Sequence, residues 1–153
     1  MRKIIFIILA ICLNFNHLAE GCDCMISEGE NAYCFSDWIS HVKILKRDVE
    51  MVDGTDEYAQ EPEGVKYTVK HLQIFKKPSN ITDETLSTFI TTPSNTAMCG
   101  IDFLNVSDSY ILSGAFNSDH TLKIHLCGGL KYNYNKVDSI RKLMKYKNEI
   151  NCP

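Results

Sequence analysis

Residues 22–34 read CDCMISEGENAYC, and this stretch decides the fold because it concentrates three cysteines at the front of the chain. The chain has 153 residues and seven cysteines. Apart from Cys12, the remaining cysteines lie in the second half of the chain: Cys99, Cys127 and Cys152. This grouping favours disulfides that join the two ends of the chain, although the sequence alone leaves the individual pairing open. Such bridges close long loops, and each typically contributes about 2–4 kcal/mol.

The segment before Cys22 has the layout of a secretory signal peptide. Two basic residues precede the apolar run Ile4 to Leu13, which is too short to cross a bilayer because a spanning helix takes about 20 apolar residues. The small residues Ala19 and Gly21 predict cleavage directly before Cys22, with a cut after Ala19 as the alternative. We therefore expect residues 1–21 to be removed, together with one cysteine. The mature protein is then expected to be secreted and extracellular, without membrane insertion, and its six remaining cysteines to form disulfides in that oxidising environment.

The charge balance of the chain argues against nucleic acid as a partner. The full chain has 16 basic and 19 acidic side chains, and without residues 1–21 it would keep 14 and 18. Binding to a phosphate backbone is driven by Lys and Arg, so an excess of acidic groups opposes it. The remaining length suits one domain, and we expect residues 22–152 to form it.

Five segments have the β-branched, partly alternating pattern of strands. They are Trp38–Leu45, Val65–Phe75, Leu86–Thr92, Ser109–Phe116 and Thr121–Leu126. The polar connection Asn117–His120 predicts that the last two strands form a hairpin. Between the first two strands, the acidic stretch Asp48–Gly64 predicts a long irregular loop. Five short strands indicate a small barrel.

One helix is predicted over Lys136–Tyr146. Its apolar residues recur at helical spacing, and basic residues lie toward its C-terminal end, where the helix dipole favours them. The apolar stripe consists of Val137, Ile140, Leu143 and Met144. We expect this stripe to be part of the core.

Several short motifs follow one another in an order that is typical of one known family. They are Cys22-Asp23-Cys24, Cys34 after nine residues, Met98-Cys99-Gly100, Tyr110 to Gly114, Leu122 to Cys127, and Cys152. In this order they resemble the tissue inhibitors of metalloproteinases, over nearly all of the chain after residue 21. The resemblance implies a mainly β fold with flanking helices, built on a five-stranded OB-fold barrel of the netrin-like type. It also implies three disulfides, Cys22–Cys99, Cys24–Cys127 and Cys34–Cys152.

Vertebrate members of that family carry a second, smaller disulfide-rich subdomain after the barrel. The sequence stops at Pro153, so residues 22–152 resemble the inhibitory N-terminal domain alone. We therefore expect no C-terminal subdomain, and no function of that subdomain is carried over.

The resemblance implies a secreted metalloproteinase inhibitor. In this family the free α-amine and the carbonyl oxygen of the first residue chelate the catalytic zinc of the target protease, and Cys22 would supply both atoms. The zinc belongs to the target, so the chain itself is expected to need no cofactor. The expected contact residues are Cys22, Asp23, Cys24, Met25 and Ile26, with Thr96, Ala97 and Met98 beside them. The expected partners are secreted or cell-surface zinc metalloproteinases, bound by a monomeric inhibitor.

Asp23 departs from what this mechanism favours. In the family the second residue points its side chain into the specificity pocket beside the zinc, which is often apolar. Desolvating a carboxylate there costs on the order of several kcal/mol unless it meets a cation. Asp23 therefore predicts either weak inhibition of ordinary matrix metalloproteinases or selectivity for an enzyme with a basic pocket. The alternative function is a secreted netrin-like module that binds a receptor or a matrix component and inhibits no protease.

No motif in the chain indicates an enzyme. The histidines lack metal-ligand spacing such as His-x-x-x-His, and no nucleophile motif stands out. Two tripeptides, Asn80-Ile81-Thr82 and Asn105-Val106-Ser107, are acceptors for N-glycosylation in a chain that enters the secretory pathway. We expect both asparagines to lie on surface loops.

Overall fold

The computed structural model describes residues 22, 24, 29–51, 62–133 and 135–152. Several predictions concern residues outside this part of the chain: the signal peptide 1–21, the contact residues Asp23, Met25 and Ile26, and the middle of the predicted loop, 52–61.

Helices and strands follow one another along the described residues in a simple order. The elements are α1 (Gly29–Phe35), β1 (Trp38–Met51), β2 (Pro62–Lys76), β3 (Phe89–Pro93), a 3₁₀ turn (Thr96–Met98), β4 (Ser109–Phe116), β5 (Leu122–Lys123) and α2 (Lys136–Glu149).

The five strands close into a barrel in the order β1-β2-β3-β5-β4, with β4 paired back onto β1. Every neighbouring pair is antiparallel except β3 and β5, which run parallel. A closed five-stranded barrel of this kind is an OB-fold. The predicted mainly β fold with flanking helices is therefore confirmed.

The strands alternate between the interior of the barrel and its outer surface, as the period of two along a strand requires. In β1, for example, Val42 and Ile44 are fully buried, whereas Lys43 and Leu45 between and after them are exposed. The interior is filled by aliphatic and aromatic side chains. Its fully buried members include Trp38, Val42, Ile44, Tyr67, Ile90, Ile101, Leu112, Leu122 and Ile124.

The prediction of a loop over Asp48–Gly64 is wrong at both ends. β1 continues to Met51 and β2 already begins at Pro62, so the two strands form a ladder in which Glu50 lies opposite Gly64. Two acidic residues of this stretch make ion pairs on the strands. Lys46 approaches Asp48 at 2.8 Å, and Lys66 approaches Glu50 at 3.6 Å.

The other strands differ less from their predicted bounds. β4 has the predicted limits, and its antiparallel pairing with β5 confirms the predicted hairpin. β3 begins at Phe89 instead of Leu86, although Leu86 is buried in the barrel core. β5 is only Leu122–Lys123, because the chain then turns away through a series of hydrogen-bonded turns.

Helix α1 has no counterpart among the predictions. It has only seven residues, about two turns, and its C-terminal end is supported by hydrogen bonds from a residue far away in the sequence. The ammonium group of Lys76, in β2, donates to the carbonyl oxygens of Tyr33 (2.9 Å) and Cys34 (2.8 Å). These bonds satisfy carbonyl groups that a helix leaves unpaired at its C-terminus.

Both helices pack on the outer surface of the barrel, where they enclose a second, smaller core. This core consists of Tyr33, Ile39, Phe75, Ile111, Tyr132, Leu143 and Tyr146. The predicted helix over Lys136–Tyr146 is confirmed and extends to Glu149. Its stripe is only partly core, because Leu143 is fully buried while Val137 is 67% exposed.

Two tyrosines of this second core differ in hydrogen bonding. Tyr33 donates its hydroxyl to the carbonyl oxygen of Phe75 at 3.2 Å. The buried hydroxyl of Tyr132 has no hydrogen-bond partner within the described residues. Burial, with Tyr146 and Tyr33 nearby, raises the pKa of Tyr132 to about 12. The group is therefore a neutral donor that loses its hydrogen bond with water on folding, which costs about 1–3 kcal/mol.

We predict that Tyr132→Phe leaves the free energy of unfolding unchanged or raises it by about 1 kcal/mol, because it removes an unpaired polar group from the core. Tyr33→Phe, the matched control, should lower the same free energy by about 1 kcal/mol because a made hydrogen bond is lost. Urea unfolding of both variants measures the difference. A larger loss for Tyr132→Phe than for Tyr33→Phe would contradict the account.

Candidate functional site

Two disulfides one residue apart hold the front of the described chain. Cys22 is bonded to Cys99 with a Cα–Cα distance of 5.7 Å, and Cys24 is bonded to Cys127 with a Cα–Cα distance of 5.1 Å. The partners lie 77 and 103 residues further along the chain. The short segment is therefore fixed to two separate loops at once, which leaves its backbone little freedom.

A third disulfide joins α1 to the end of the chain. Cys34 is bonded to Cys152 with a Cα–Cα distance of 5.3 Å across 118 residues. The three bonds in the structure are the three pairs that the family resemblance implies. All of them run from the front of the chain to its second half, as the grouping of the cysteines favours.

The 3₁₀ turn Thr96–Met98 lies directly beside Cys22. The sulfur of Cys22 is 3.5 Å from the carbonyl oxygen of Thr96, a contact that is not a hydrogen bond because a disulfide sulfur carries no proton. The turn is capped by Asn95, whose side-chain oxygen accepts a hydrogen bond from the backbone N–H of Met98 at 3.0 Å. Cys99 ends the turn in the left-handed conformation, with φ 62°.

Gly100 allows this turn to fold tightly against the end of β3. A Cβ atom at Gly100 would lie 2.1 Å from the carbonyl oxygen of Pro93 and 2.7 Å from that of Asn95. The N–H of Gly100 donates to the Asn95 oxygen at 2.8 Å. Because both neighbours are backbone atoms, a side chain here could not be accommodated by a rotamer change.

The loops that hold Cys22 and Cys24 are also joined to each other. The backbone N–H of Leu126 donates to the carbonyl oxygen of Cys99 at 2.8 Å. Cys99 and Cys127 therefore belong to one hydrogen-bonded unit, to which the front segment is attached through two bridges. We call this unit, the turn Thr96–Met98 with Cys99, Leu126 and Cys127, the platform. It holds Cys22 in a fixed position.

The described residues of the turn beside Cys22 and its cap are exposed and uncharged. Asn95, Thr96, Ala97 and Met98 are all exposed, and the Met98 side chain keeps 49% of its surface open to solvent. Cys22 and Cys24 are half-buried. An apolar side chain held open on a rigid turn is available for contact with another molecule.

The structure thus brings together Cys22, Cys24, Thr96, Ala97 and Met98 from the predicted contact set. The sequence prediction did not single out Asn95 or Leu126, which hold the turn and join the two loops. Asn95 carries a recognisable local signal, because asparagine is favoured as a cap. The bond from Leu126 to Cys99 has no local signal, since it depends on how the barrel closes.

Within the described residues, no three His, Cys, Asp or Glu side chains converge into a metal-binding group. No helix in that part of the chain is long and apolar enough to cross a membrane. Asn80 and Asn105 are both exposed and lie outside the helices and strands, as predicted for glycosylation acceptors, whereas their occupancy stays a prediction.

The closed barrel, the helices on its outer surface and the front segment held by two bridges define a disulfide-linked OB-fold domain of the netrin-like type. The sequence model of the family described as tissue inhibitor of metalloproteinase matches residues 20–152. The chain belongs to this family.

Curated relatives are named as metalloproteinase inhibitors. The chain is 30% identical over 130 residues to the putative metalloproteinase inhibitor tag-225 of Caenorhabditis elegans, covering 84% of this chain and 79% of that protein. It is 27% identical to metalloproteinase inhibitor 4 of Rattus norvegicus, covering 71% of this chain and 46% of the relative. It is 24% identical to metalloproteinase inhibitor 2 of Bos taurus, covering 71% and 47%. The chain therefore spans about half the length of these vertebrate relatives.

We predict that Gly100→Ala disrupts the platform, because the added Cβ would overlap backbone oxygens and overpacking of this kind costs about 1–3 kcal/mol. The matched control is Gly128→Ala, at a glycine whose added Cβ would meet nothing within 4 Å. Thermal unfolding and hydrogen exchange at residues 94–100 measure the effect. Equal behaviour of the two variants would show that the close approach at Gly100 is not required.

Proposed function

We propose that this chain is a secreted inhibitor of zinc metalloproteinases, and that Cys22 is the residue that binds the target's catalytic zinc. The free α-amine and the carbonyl oxygen of Cys22 act as the two zinc ligands. The segment from Cys22 to Ile26, together with Thr96–Met98, occupies the active-site cleft of the protease. Family membership and the names of the relatives support the inhibitory role.

The observation that carries the proposal is the attachment of Cys22 beside an exposed, capped turn. The Cys22–Cys99 bridge and the Cys24–Cys127 bridge restrain the backbone on both sides of residue 23. A segment restrained in this way loses little conformational freedom when it enters a cleft, and lower ordering cost means higher affinity. The sulfur of Cys22 is in a disulfide, so the backbone atoms remain as its zinc ligands.

The chemistry of a terminal amine suits this role. A catalytic zinc has three protein ligands and one position filled by the water that it activates, so displacing that water inhibits the enzyme. An α-amine has a pKa of about 8, well below that of a lysine side chain, and it gives up its proton at small cost near neutral pH. The carbonyl oxygen of the same residue completes a five-membered chelate. The α-amine of Cys22 is free only if cleavage occurs directly before this residue.

Asp23 makes the inhibitor selective. Its carboxylate enters the specificity pocket of the target, where an apolar wall would leave it unpaired and a cation would satisfy it. We therefore propose a target with a basic specificity pocket. Proteases with apolar pockets are inhibited weakly.

Adding one alanine before Cys22 should abolish the chelate, because the amine then belongs to a different residue and the Cys22 nitrogen becomes an amide. The expected loss of affinity is about a hundredfold or more, at roughly 1.4 kcal/mol per factor of ten. The measurement is an inhibition titration against a panel of active metalloproteinases, with the Cys22 start of the parent protein confirmed by intact mass. Thermal unfolding of the extended protein is the control, since the added residue precedes the disulfide framework.

Two outcomes of this titration would oppose the proposal. Stoichiometric inhibition that survives the extension would exclude chelation by the amine. No inhibition at micromolar protein across the whole panel would remove the general inhibitory role.

Replacing Asp23 tests the selectivity separately. Asp23→Asn keeps the size and removes the charge, whereas Asp23→Ser also shortens the side chain. Both variants should inhibit proteases with apolar pockets about tenfold or more better than the parent, because the desolvation cost of the carboxylate disappears. Unchanged inhibition constants for both variants would mean that residue 23 does not enter the pocket.

A second candidate function is favoured by Asp23 itself. A netrin-like module that binds a receptor or a matrix component through another face needs no uncharged residue at position 23 and no free amine at Cys22. Such a module would keep its partner after the alanine extension. The extension therefore separates the two functions.

A further inference from the structure

Phe103 is a large apolar residue that the barrel leaves open to solvent. It is 52% exposed, whereas the next residue, Leu104, is buried in the barrel core. Asn105, on the other side of Leu104, is exposed again. This alternation is that of an extended segment, so Phe103 and Asn105 project outward from the same side of the backbone, about 6.6 Å apart along it. An aromatic ring therefore lies next to one of the two acceptor asparagines.

The backbone under this ring is held in place by two tyrosines of the barrel. The hydroxyl group of Tyr67 donates to the carbonyl oxygen of Ile101 at 2.8 Å and accepts from the N–H of Leu104 at 3.2 Å. The N–H of Asn105 donates to the hydroxyl oxygen of Tyr110 at 3.2 Å. The exposed ring thus stands on a restrained segment, and a group that packs on it has little chain entropy to overcome.

A tight turn begins at Asn105. The N–H of Asp108 donates to the carbonyl oxygen of Asn105 at 3.3 Å, which closes a turn of four residues. Ser107, the third of them, has a φ of 74°, and a positive φ at this position favours glycine. The place is taken instead by a residue whose hydroxyl group the acceptor tripeptide requires. The turn keeps the acceptor against its conformational preference, which points to the use of Asn105 as an acceptor.

The side chain of Asn105 is oriented in a way that is compatible with an attached sugar. Its Nδ2 donates one hydrogen to the carboxylate of Asp108 at 3.3 Å. An amide nitrogen carries two hydrogens, and N-glycosylation replaces one of them. In that reaction the bond from C1 of the first N-acetylglucosamine to the diphosphate of a lipid-linked oligosaccharide breaks, the C1–Nδ2 bond forms, and the lipid diphosphate and the amide proton leave. The second hydrogen keeps the bond to Asp108, which fixes the direction of the linkage.

We propose that Asn105 carries an N-linked glycan and that the first N-acetylglucosamine of this glycan packs on the ring of Phe103. One face of a pyranose ring consists of C–H groups, and the face of an aromatic ring carries partial negative charge, so stacking removes apolar surface of both from water. The sugar is then a structural part of the segment 103–108 as well as a solubilising group. The inference rests on secretion, which belongs to the proposed function, and does not depend on protease inhibition.

A protein partner that docks on Phe103 is the competing occupant. The glycan is favoured because it is tethered two residues from the ring, and a short tether gives an effective concentration on the order of millimolar. The other acceptor, Asn80, offers an internal comparison. Two positions before it the chain has Pro78, and the next residue, Ile81, packs against the barrel core. A glycan at Asn80 therefore has no exposed aromatic ring beside it along the chain.

The test measures how much the glycan at Asn105 raises the melting temperature of the secreted chain. Asn80→Gln leaves Asn105 as the only acceptor tripeptide, and its occupancy is established by peptide mass mapping. The occupied form, trimmed by an endoglycosidase to the first N-acetylglucosamine, is compared with the same variant produced without glycans. The trimmed form should melt about 3 °C or more higher. Adding Phe103→Ser should reduce this gain to about 1 °C or less, because the coupling between ring and sugar is lost.

The matched control is Asn105→Gln, in which Asn80 carries the only glycan and the gain should be about 1 °C or less. Nuclear magnetic resonance gives a second readout: the proton signals of the first sugar should shift upfield through the ring current of Phe103 and lose this shift in Phe103→Ser. An unoccupied Asn105 in the secreted chain would overturn the proposal. So would an equal gain with and without the ring, or sugar signals without the upfield shift. None of these results depends on whether the chain inhibits a protease.

Discussion

The structure around the front of the chain depends on one covalent constraint. Cys22 and Cys24 are separated by a single residue, yet they are bonded to partners in different loops. Without both bonds, the segment would lose its two covalent attachments to these loops, and segments near a chain end are commonly poorly ordered unless they are tied down. With both bonds, the backbone at Cys22 is held in one orientation relative to the turn Thr96–Met98. The Asn95 cap and the close approach at Gly100 keep this turn in place.

The fold could be predicted largely because its signals are local. The alternation along β2 and the six cysteines at the two ends of the chain are visible in the sequence, and the motif order led to the family. The errors arose where long-range contacts decide the structure. The ladder between β1 and β2 extends into the acidic stretch through cross-strand pairs such as Glu50 opposite Gly64, and α1 is held at its end by Lys76. Neither contact leaves a pattern in the local sequence.

In the candidate site, too, the features with local sequence signals could be predicted and those that depend on long-range contacts could not. Cys22, Cys24 and the turn Thr96–Met98 could be assigned because short motifs surround them. The bond between Leu126 and Cys99 could not be predicted, although it joins the loops that carry the two bridges. This hydrogen bond forms only because the loops that follow β3 and β5 meet at the same edge of the barrel. The position of Lys43 opposite Lys70 could not be predicted either, because the two residues become neighbours only through the register of β1 against β2.

The parallel pairing of β3 with β5 has a consequence for how the molecule matures. Because the two strands run in the same direction, the loops that follow them leave the barrel at the same end, and Cys99 and Cys127 are brought to one edge. This pairing joins residues that are about thirty positions apart and lacks the support of a hairpin turn, and non-local pairing of this kind forms slowly. Cys22 and Cys24 have their partners side by side only where that edge has formed. The native pairing of these two cysteines is therefore a chemical record that β3 and β5 have come together.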